Sequence, residues 1–266
     1  MSNVIMPRLI TTFLAAIVLG FANASDGAEP PPGMVLLPAG SYTPLFRGET
    51  DPKEIAVRAF FLDVFPVTGA DYLEFVTANP KWRRSNVKRL FADQNYLIQW
   101  AGDLDMGDPA ASNAPVTHVS WFAAKAYCAW KGRRLPTTAE WEYAATASPT
   151  RADGANDLEF KQQVLAWYAE PSVAKLPPVG SRRSNVYGLH DLHGLVWEWV
   201  ADFNTAMVTG DARGDTGLER QLFCGGGSQG ASDRSNYPAY MRYAFRSSLK
   251  ASYTVQNLGF RCAKDL

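Results

Sequence analysis

The amino-acid sequence predicts one globular domain, over residues 33–266, in which short strands and short helices are joined by many loops. The 266-residue chain is 47% hydrophobic and 12% aromatic, which is ordinary globular composition and enough for a large core. Apolar strand patterns and capped helix patterns both occur in its first half. Beyond Ala147 the sequence breaks into short segments separated by Gly, Asn, Asp and Ser, so we expect few long helices or strands there.

The N-terminus has the pattern of a secretory signal. Residues 1–8 carry one positive charge, residues 9–21 form an apolar run, and residues 22–24 read Ala-Asn-Ala, a typical cleavage site. A membrane anchor is the alternative, but the apolar run is short for a span and polar residues follow it at once. The sequence therefore predicts a signal peptide over residues 1–24, a flexible linker over residues 25–32, and a periplasmic or secreted protein.

The charge balance argues against two classes of partner. Lys and Arg number 26, as do Asp and Glu, so no overall field draws the chain to nucleic acid or to an anionic membrane. We expect no nucleic-acid partner, and no membrane association once the signal is removed.

The first half of the domain alternates strand and helix signals. Met34–Tyr42 reads as an apolar strand ending in a turn, and Ile55–Val64 reads as a second strand. Thr68–Asp71 has the spacing of a capping box and predicts a short helix. Lys81–Asp108 is polar, charged and aromatic without a period, so we expect a long surface loop that shapes a binding site.

Two further helices are predicted from their N-terminal caps. Ser120 can cap a helix over Trp121–Lys131, with Gly132 as its stop. Thr137–Glu140 forms a second capping box and opens the next helix.

The tryptophans near these signals have two interpretations. Large aromatic rings in ordered segments usually pack in the core, because they contribute most of its buried area. The alternative is that one of them, with Trp197 the first candidate, stacks on a substrate. The tryptophans concerned are Trp121, Trp130, Trp141, Trp197 and Trp199.

Three cysteines, Cys128, Cys224 and Cys262, lack the Cys-x-x-Cys spacing of zinc ribbons and of thioredoxin-like redox motifs. In an exported protein, one disulfide and one odd thiol is the natural interpretation of this count. The spacing alone leaves the pairing open.

A series of short motifs resembles the sulfatase-modifying-factor family, the family of the formylglycine-generating enzyme. Together they span nearly all of the predicted domain, in the family's order. The resemblance implies an α+β fold related to C-type lectins, with many loops and little regular secondary structure. The motifs lie at Met34–Ser41, Asp63–Thr68, Pro115–Trp121, Ala126–Trp130, Arg134–Tyr143, Tyr187–Trp199, Gly225–Ser228 and Asn257–Cys262.

The resemblance also shows a departure from the family's chemistry. In the family's enzymes, two nearby cysteines before the final Asn-Leu-Gly-Phe-Arg-Cys bind copper(I) and activate oxygen. Here the segment Ser228–Asn257 contains no cysteine, and one of the two positions falls at or next to Pro238. Because copper(I) needs soft thiolate donors, we expect neither a copper site nor formylglycine generation by that mechanism.

The same segment contains polar and aromatic residues that could form a cleft. Arginines and tyrosines can bind an anionic or aromatic ligand through charge-assisted and stacking contacts. The alternative is a solvated loop whose arginines pair with surface carboxylates. The candidate cleft residues are Trp197, Ser228, Tyr240, Arg242 and Arg246.

The resemblance implies one disulfide, between Cys128 and Cys262, because these positions are bonded to each other in relatives. Cys224 is then the odd cysteine. Its simplest interpretation is an inert, half-buried thiol, and the alternative is a reactive or metal-binding one.

A calcium site is also implied by the resemblance. Asp191 and Glu198 would supply carboxylates, and Gly194 and Val196 would supply main-chain carbonyls, which are oxygen donors that calcium accepts. Leu195 stands where the family usually has asparagine. The alternative is that Glu198 only bonds buried backbone amides.

The chain has three histidines, His118, His190 and His193. They could form a metal triad, but their spacing does not require them to meet. We therefore predict a structural calcium ion as the cofactor and no histidine metal site.

Two functions are consistent with these observations. The first is an exported accessory or binding protein that supports a metalloenzyme such as copper nitrite reductase, since Gly194–Asn204 and the cysteine-poor tail resemble the NirV-type proteins. The second is a cysteine-independent oxidoreductase acting on a small molecule or peptide, similar to exported relatives in siderophore chromophore maturation.

Overall fold

The computed structural model describes residues 29–47, 52–154, 157–171, 173, 175–204 and 236–266. The predicted signal peptide, most of the linker, Cys224 and Ser228 lie outside these ranges. Within them, no helix combines the length and apolar character needed to cross a bilayer.

Short strands and five α-helices make up the described regular structure, which confirms the mixed, loop-rich α+β class. Turns and irregular segments connect them. In chain order the elements are β1 Met34–Leu37, β2 Gly40–Tyr42, β3 Ile55–Val57, β4 Phe60–Asp63, α1 Gly69–Ala78, α2 Trp121–Trp130, α3 Thr138–Thr146, α4 Leu158–Ala169, β5 Trp197–Glu198, α5 Tyr237–Ser248, β6 Leu258–Gly259 and β7 Ala263–Asp265.

Three small sheets are formed. The largest is antiparallel, in the order β1-β4-β7, with Met34 opposite Asp63 and Leu62 opposite Ala263. β2 pairs with β3, and β5 pairs with β6 in parallel. Each strand predicted from the sequence is therefore two strands, which lie in different sheets.

The predicted helix starts are present. Thr68 caps α1 and Thr137 caps α3, each with a complete capping box in which the third helical residue bonds back to the cap. Ser120 caps α2 by accepting a hydrogen bond from the amide of Ala123 at 3.2 Å. These predictions were correct because a cap depends on residues only three positions apart.

The described strands beyond Ala147 are short, as expected, but this region also contains two helices of 12 residues each, α4 and α5, that were not predicted. The side chain of Asp157 caps α4, and that of Asn236 caps α5. Asp and Asn favour loops and helix N-caps for the same reason, since their short polar side chains bond nearby amides. Asp157 and Asn236 are polar residues of the kind that suggests a loop, but here they begin helices.

The loop predicted over Lys81–Asp108 has no α-helix or β-strand, apart from a 3-10 turn that begins at Pro80 and ends at Trp82. However, it is not confined to the surface. Tyr96, Leu97 and Trp100 are buried, and the Tyr96 hydroxyl lies 2.7 Å from that of Tyr72 on α1. Buried aromatic residues therefore fix this loop to the core.

The core is rich in aromatic rings, as the composition suggests. Tyr127 of α2 stacks on Tyr72 at 5.8 Å and meets Phe260 edge-on at 5.3 Å. Trp141 and Trp199 are buried as predicted. Trp130 is not a core residue, because it is 39% exposed and is covered on one face by the amino group of Lys131.

Candidate functional site

A buried carboxylate with two guanidinium groups lies between helices α3 and α5. Glu142 of α3 accepts hydrogen bonds from Arg242 at 2.7 Å and from Arg246 at 2.6 Å, both on α5. The arginines are four residues apart, so they share one face of the helix. All three residues, which we call the Glu142 cluster, are at most 9% exposed.

The electrostatics of the Glu142 cluster favour its charged state. Burial alone would raise the pKa of Glu142, but the two guanidinium groups outweigh burial and lower the pKa to about 2. Burial likewise opposes the charge of Arg242, and the carboxylate of Glu142 raises the pKa of that guanidinium. The Trp141 ring faces both arginines, at 5.5 and 5.0 Å. The cluster is therefore ionised at neutral pH, with one negative and two positive charges.

A cavity of about 630 Å³ lies against this cluster. Its walls come from α3, α4, the first turns of α5, and β2. This volume is typical of small-molecule sites. The lining residues that matter most for its chemistry are Glu142, Tyr143, Phe160, Lys161, Val164 and Arg242.

The structure brings some of the predicted cleft residues together. Trp197 stacks on Phe245 of α5 at 4.5 Å and lies beside Arg242 and Arg246 around a small crevice. Tyr240 contacts Phe46 edge-on at 6.2 Å and is not among the residues lining the large cavity. Trp197 is thus packed against aromatic neighbours rather than presented to that cavity.

The residues expected to bind calcium are committed to other partners. Both carboxylate oxygens of Glu198 bond to Arg261, and one also accepts the indole N–H of Trp141 at 2.7 Å. The carboxylate of Asp191 accepts the backbone amides of Gly180 and Arg182.

The backbone carbonyl of Gly194, which was expected to be a third calcium ligand, accepts a hydrogen bond from the Arg182 guanidinium at 3.1 Å. Val196 is buried. A calcium ion at this position would meet a guanidinium on its principal carboxylate, so these donors do not fit the metal. Glu198 serves instead to bond buried groups, mainly the side chain of Arg261.

The histidines do not converge. His193 bonds the carbonyl of Ala145 at 2.9 Å, and burial lowers its pKa to about 4. His190 lies beside Phe65 and bonds the carbonyl of Arg182. In the part of the chain that the structure describes, no three His, Cys, Asp or Glu side chains are placed to hold a metal ion.

Two of the three cysteines form a disulfide. Cys128 of α2 and Cys262 have Cα atoms 5.6 Å apart and are bonded, which is the pairing that the resemblance implies. Copper(I) in a protein is held by soft sulfur ligands. Because the chain has three cysteines, this bond leaves Cys224 as the one remaining thiol, and the donors do not fit a two-cysteine copper site.

Reasoning from the sequence missed Glu142, the residue around which the arginines are organised. A weak signal was present, since Glu142 lies between Trp141 and Tyr143 in a predicted helix and α3 contains no basic residue. A buried glutamate must then take its cation from a distant part of the chain. The helix α4 that lines the cavity was missed as well.

Comparisons with known proteins agree with this architecture. The model of the sulfatase-modifying factor enzyme 1-like domain matches residues 21–266. The formylglycine-generating enzyme of Streptomyces coelicolor is 32% identical, over 91% of this chain and 95% of its own length. The mouse protein named inactive C-alpha-formylglycine-generating enzyme 2 is 29% identical, over 100% of this chain and 94% of its own.

A solved structure is similar as well. PvdO from Pseudomonas aeruginosa aligns with a TM-score of 0.48 at 21% identity, over 88% of this chain and 94% of that one. The family match covers most of the chain, and the Streptomyces relative exceeds 30% identity along nearly its whole length. The chain therefore belongs to the family of the sulfatase-modifying factor enzyme 1-like domain.

Proposed function

We propose that this chain is a binding or accessory member of its family that does not oxidise cysteine through a copper–thiolate centre. The observation that carries the proposal is the Cys128–Cys262 disulfide in a chain with three cysteines. A mononuclear copper(I) site of the family type needs two thiolates side by side, and one remaining thiol cannot supply them.

The described helix α5 supports the same conclusion. Pro238, at or next to a position where the family has a catalytic cysteine, is the second residue of α5. Its ring occupies a place in the first turn of the helix, where proline is well tolerated, and provides no metal donor. Sequence and local structure are thus consistent with a helix start rather than a metal ligand.

The names of the relatives include both active and inactive proteins. One close match is called a formylglycine-generating enzyme and another an inactive one, at 32% and 29% identity. Overall similarity therefore does not separate activity from its loss. The cysteine count of this chain supports the inactive alternative, because it concerns the atoms that the copper–thiolate reaction needs.

We further propose that the protein is exported and supports a metalloenzyme such as copper nitrite reductase. The signal-like pattern of residues 1–24 supports export. The disulfide is consistent with it, since such bonds persist in oxidising compartments. The resemblance of Gly194–Asn204 to NirV-type proteins supports the accessory role.

Oxygen consumption tests the proposal. The purified chain, loaded with copper(I), is given a cysteine-containing sulfatase peptide, and the Streptomyces enzyme serves as the positive control. We expect no oxygen uptake above that of free copper, and an unmodified peptide by mass spectrometry. Oxygen uptake coupled to oxidation of the peptide cysteine would overturn the proposal.

A variant without Cys224 tests whether this thiol takes part in a copper(I) site. Cys224→Ser removes the last free thiol without affecting the disulfide. We expect the wild-type chain and the variant to lose copper(I) equally to a thiol-based chelator. Tight copper(I) binding by the wild type that the variant lacks would show that Cys224 forms a metal site, for instance between two chains.

A further inference from the structure

The Glu142 cluster beside the cavity carries one more buried positive charge than negative charge; Glu142 and Arg242 line the cavity, and Arg246 bonds the same carboxylate without lining it. Glu142 contributes one carboxylate, while Arg242 and Arg246 contribute two guanidinium groups, and all three are nearly inaccessible to solvent. Lys161 and Asp153 also line the cavity with opposite charges, and both are exposed, so solvent weakens but does not remove their interaction with a bound ion. The buried residues therefore set the balance, which favours an anion.

Arg242 lines the cavity and bonds only some of its N–H groups to the described residues. A guanidinium carries five N–H groups. One on Nε and one on Nη2 bond Glu142, and one on Nη1 bonds the hydroxyl of Tyr168 at 3.3 Å. For the remaining two, the described residues supply no acceptor. A carboxylate is the acceptor that a guanidinium pairs with best.

The rest of the cavity is suited to a ring. Phe160, Val164 and Leu165 present an apolar wall from α4, and Tyr143 faces them from α3. A volume of about 630 Å³ accommodates an aromatic acid with room for substituents. The charge lies at one end of the space and the apolar wall lies along its side.

From these features we propose that the cavity binds a small aromatic carboxylate, with its acid group toward Arg242 and Lys161 and its ring against α4. This rests on the proposed binding function and specifies its ligand class. The guanidinium supplies orientation, and the apolar wall supplies most of the affinity.

Three probes of nearly equal shape test the charge requirement. Phenylacetate is the anion, phenylacetamide the neutral analogue and 2-phenylethylamine the cation, each titrated into the full chain by calorimetry. We expect phenylacetate to bind at least about tenfold more tightly than the amide, as one charge-assisted hydrogen bond provides. Equal affinity for the amide, tighter binding of the amine, or no binding of any probe at millimolar concentration overturns the proposal.

Variants on α4 locate the site. Val164→Trp fills the cavity and should abolish phenylacetate binding, whereas Leu158→Trp, at a position 74% exposed on the same helix, should leave it unchanged. Since Val164→Trp can also disturb folding, Lys161→Gln at an exposed position provides a second test. We expect Lys161→Gln to weaken phenylacetate several-fold and leave the amide unaffected. Identical binding by all three variants places the ligand elsewhere and refutes the site.

A further titration distinguishes a free small acid from the C-terminus of a peptide as the ligand. A dipeptide ending in phenylalanine presents a phenyl ring and a carboxylate, one carbon further apart than in phenylacetate, as part of a peptide terminus. Binding of phenylacetate without the dipeptide supports a free small molecule, and binding of both supports recognition of the shared acid. The copper assay is independent of these titrations, so the ligand class can fail while the absence of copper chemistry stands.

Discussion

Two buried glutamate–arginine clusters flank Trp141, and their donor counts differ. Arg261 uses all five N–H groups, on Glu198 and on the carbonyls of Asp63, Val64 and His190. Among the described residues, Arg242 finds acceptors for three of its N–H groups, and its neighbour Arg246 shares the same carboxylate.

The indole N–H of Trp141 joins the first cluster, while its ring faces the arginines of the second. The Glu198–Arg261 pair is wholly enclosed and neutral, so it has the properties of a structural element. The Glu142 cluster has unequal charge, spare donors and a cavity beside it. Burial alone therefore does not separate structural from binding charges, whereas the balance of charges and donors does.

The largest expected effect is on the enclosed pair. Glu198→Gln leaves Arg261 charged with no solvent and no counter-ion, which should cost about 3–5 kcal/mol of unfolding free energy. Urea unfolding of the wild type and the variant measures the loss. Combining Glu198→Gln with Arg261→Met should recover part of it.

The same measurement discriminates the calcium alternative. We expect the loss to be equal with and without a chelator, because both carboxylate oxygens of Glu198 accept hydrogen bonds from protein groups. Calcium-dependent stability in the wild type that disappears in Glu198→Gln would contradict this and restore the metal site.

A smaller loss is expected in the Glu142 cluster. Glu142→Gln should cost about 2–3 kcal/mol, less than the enclosed pair, because Arg242 lines the adjoining cavity and water there can partly solvate it. The pKa of Glu142 is lowered from 4.5 to about 2, so its stabilising effect is complete above pH 4.5 and is lost as pH falls toward 2. The difference between wild type and variant in urea should shrink over that interval. A difference independent of pH would show that Glu142 is not ionised in the folded state.

Asp63 is the opposite case to Glu142, because its pKa is raised rather than lowered. Burial raises its pKa from 3.8 to about 6, although Arg133 and the amide of Cys262 partly oppose this. Since the folded state holds the proton more tightly, the contribution of Asp63 to stability is greatest below pH 3.8 and decreases as pH rises through 6. Asp63→Asn should therefore be more destabilising at about pH 4 than at about pH 7, by about 1–2 kcal/mol. The reverse order in urea unfolding would disprove the raised pKa.

The smallest expected change in unfolding free energy is at a solvent-exposed ion pair. Asp265 bonds Arg134 at 2.6 Å, but its side chain is 72% exposed, and Glu140 also binds that arginine. Asp265→Asn should change the unfolding free energy by about 0.5 kcal/mol or less, because solvent screens the interaction. A loss comparable to that of Glu142→Gln would mean that burial does not control these energies.

What could be predicted from the sequence depends on the distance between partners along the chain. The caps at Thr68, Ser120 and Thr137 involve residues three positions apart, and all were predicted correctly. The bond between Glu142 and Arg242 spans 100 residues, and no local pattern marks it. The calcium expectation shows the same limitation, since the spacing of Asp191 and Glu198 could not reveal that Arg261 engages the second carboxylate.

The Cys128–Cys262 bond has a consequence for how the protein matures. Its two cysteines are 134 positions apart, and Cys224 lies between them in the sequence. If the chain is exported as proposed, Cys224 emerges from the translocation pore before Cys262, so Cys128 can form a wrong bond with Cys224 first. Reaching the native pairing then requires thiol–disulfide exchange, and a disulfide isomerase becomes a determinant of yield.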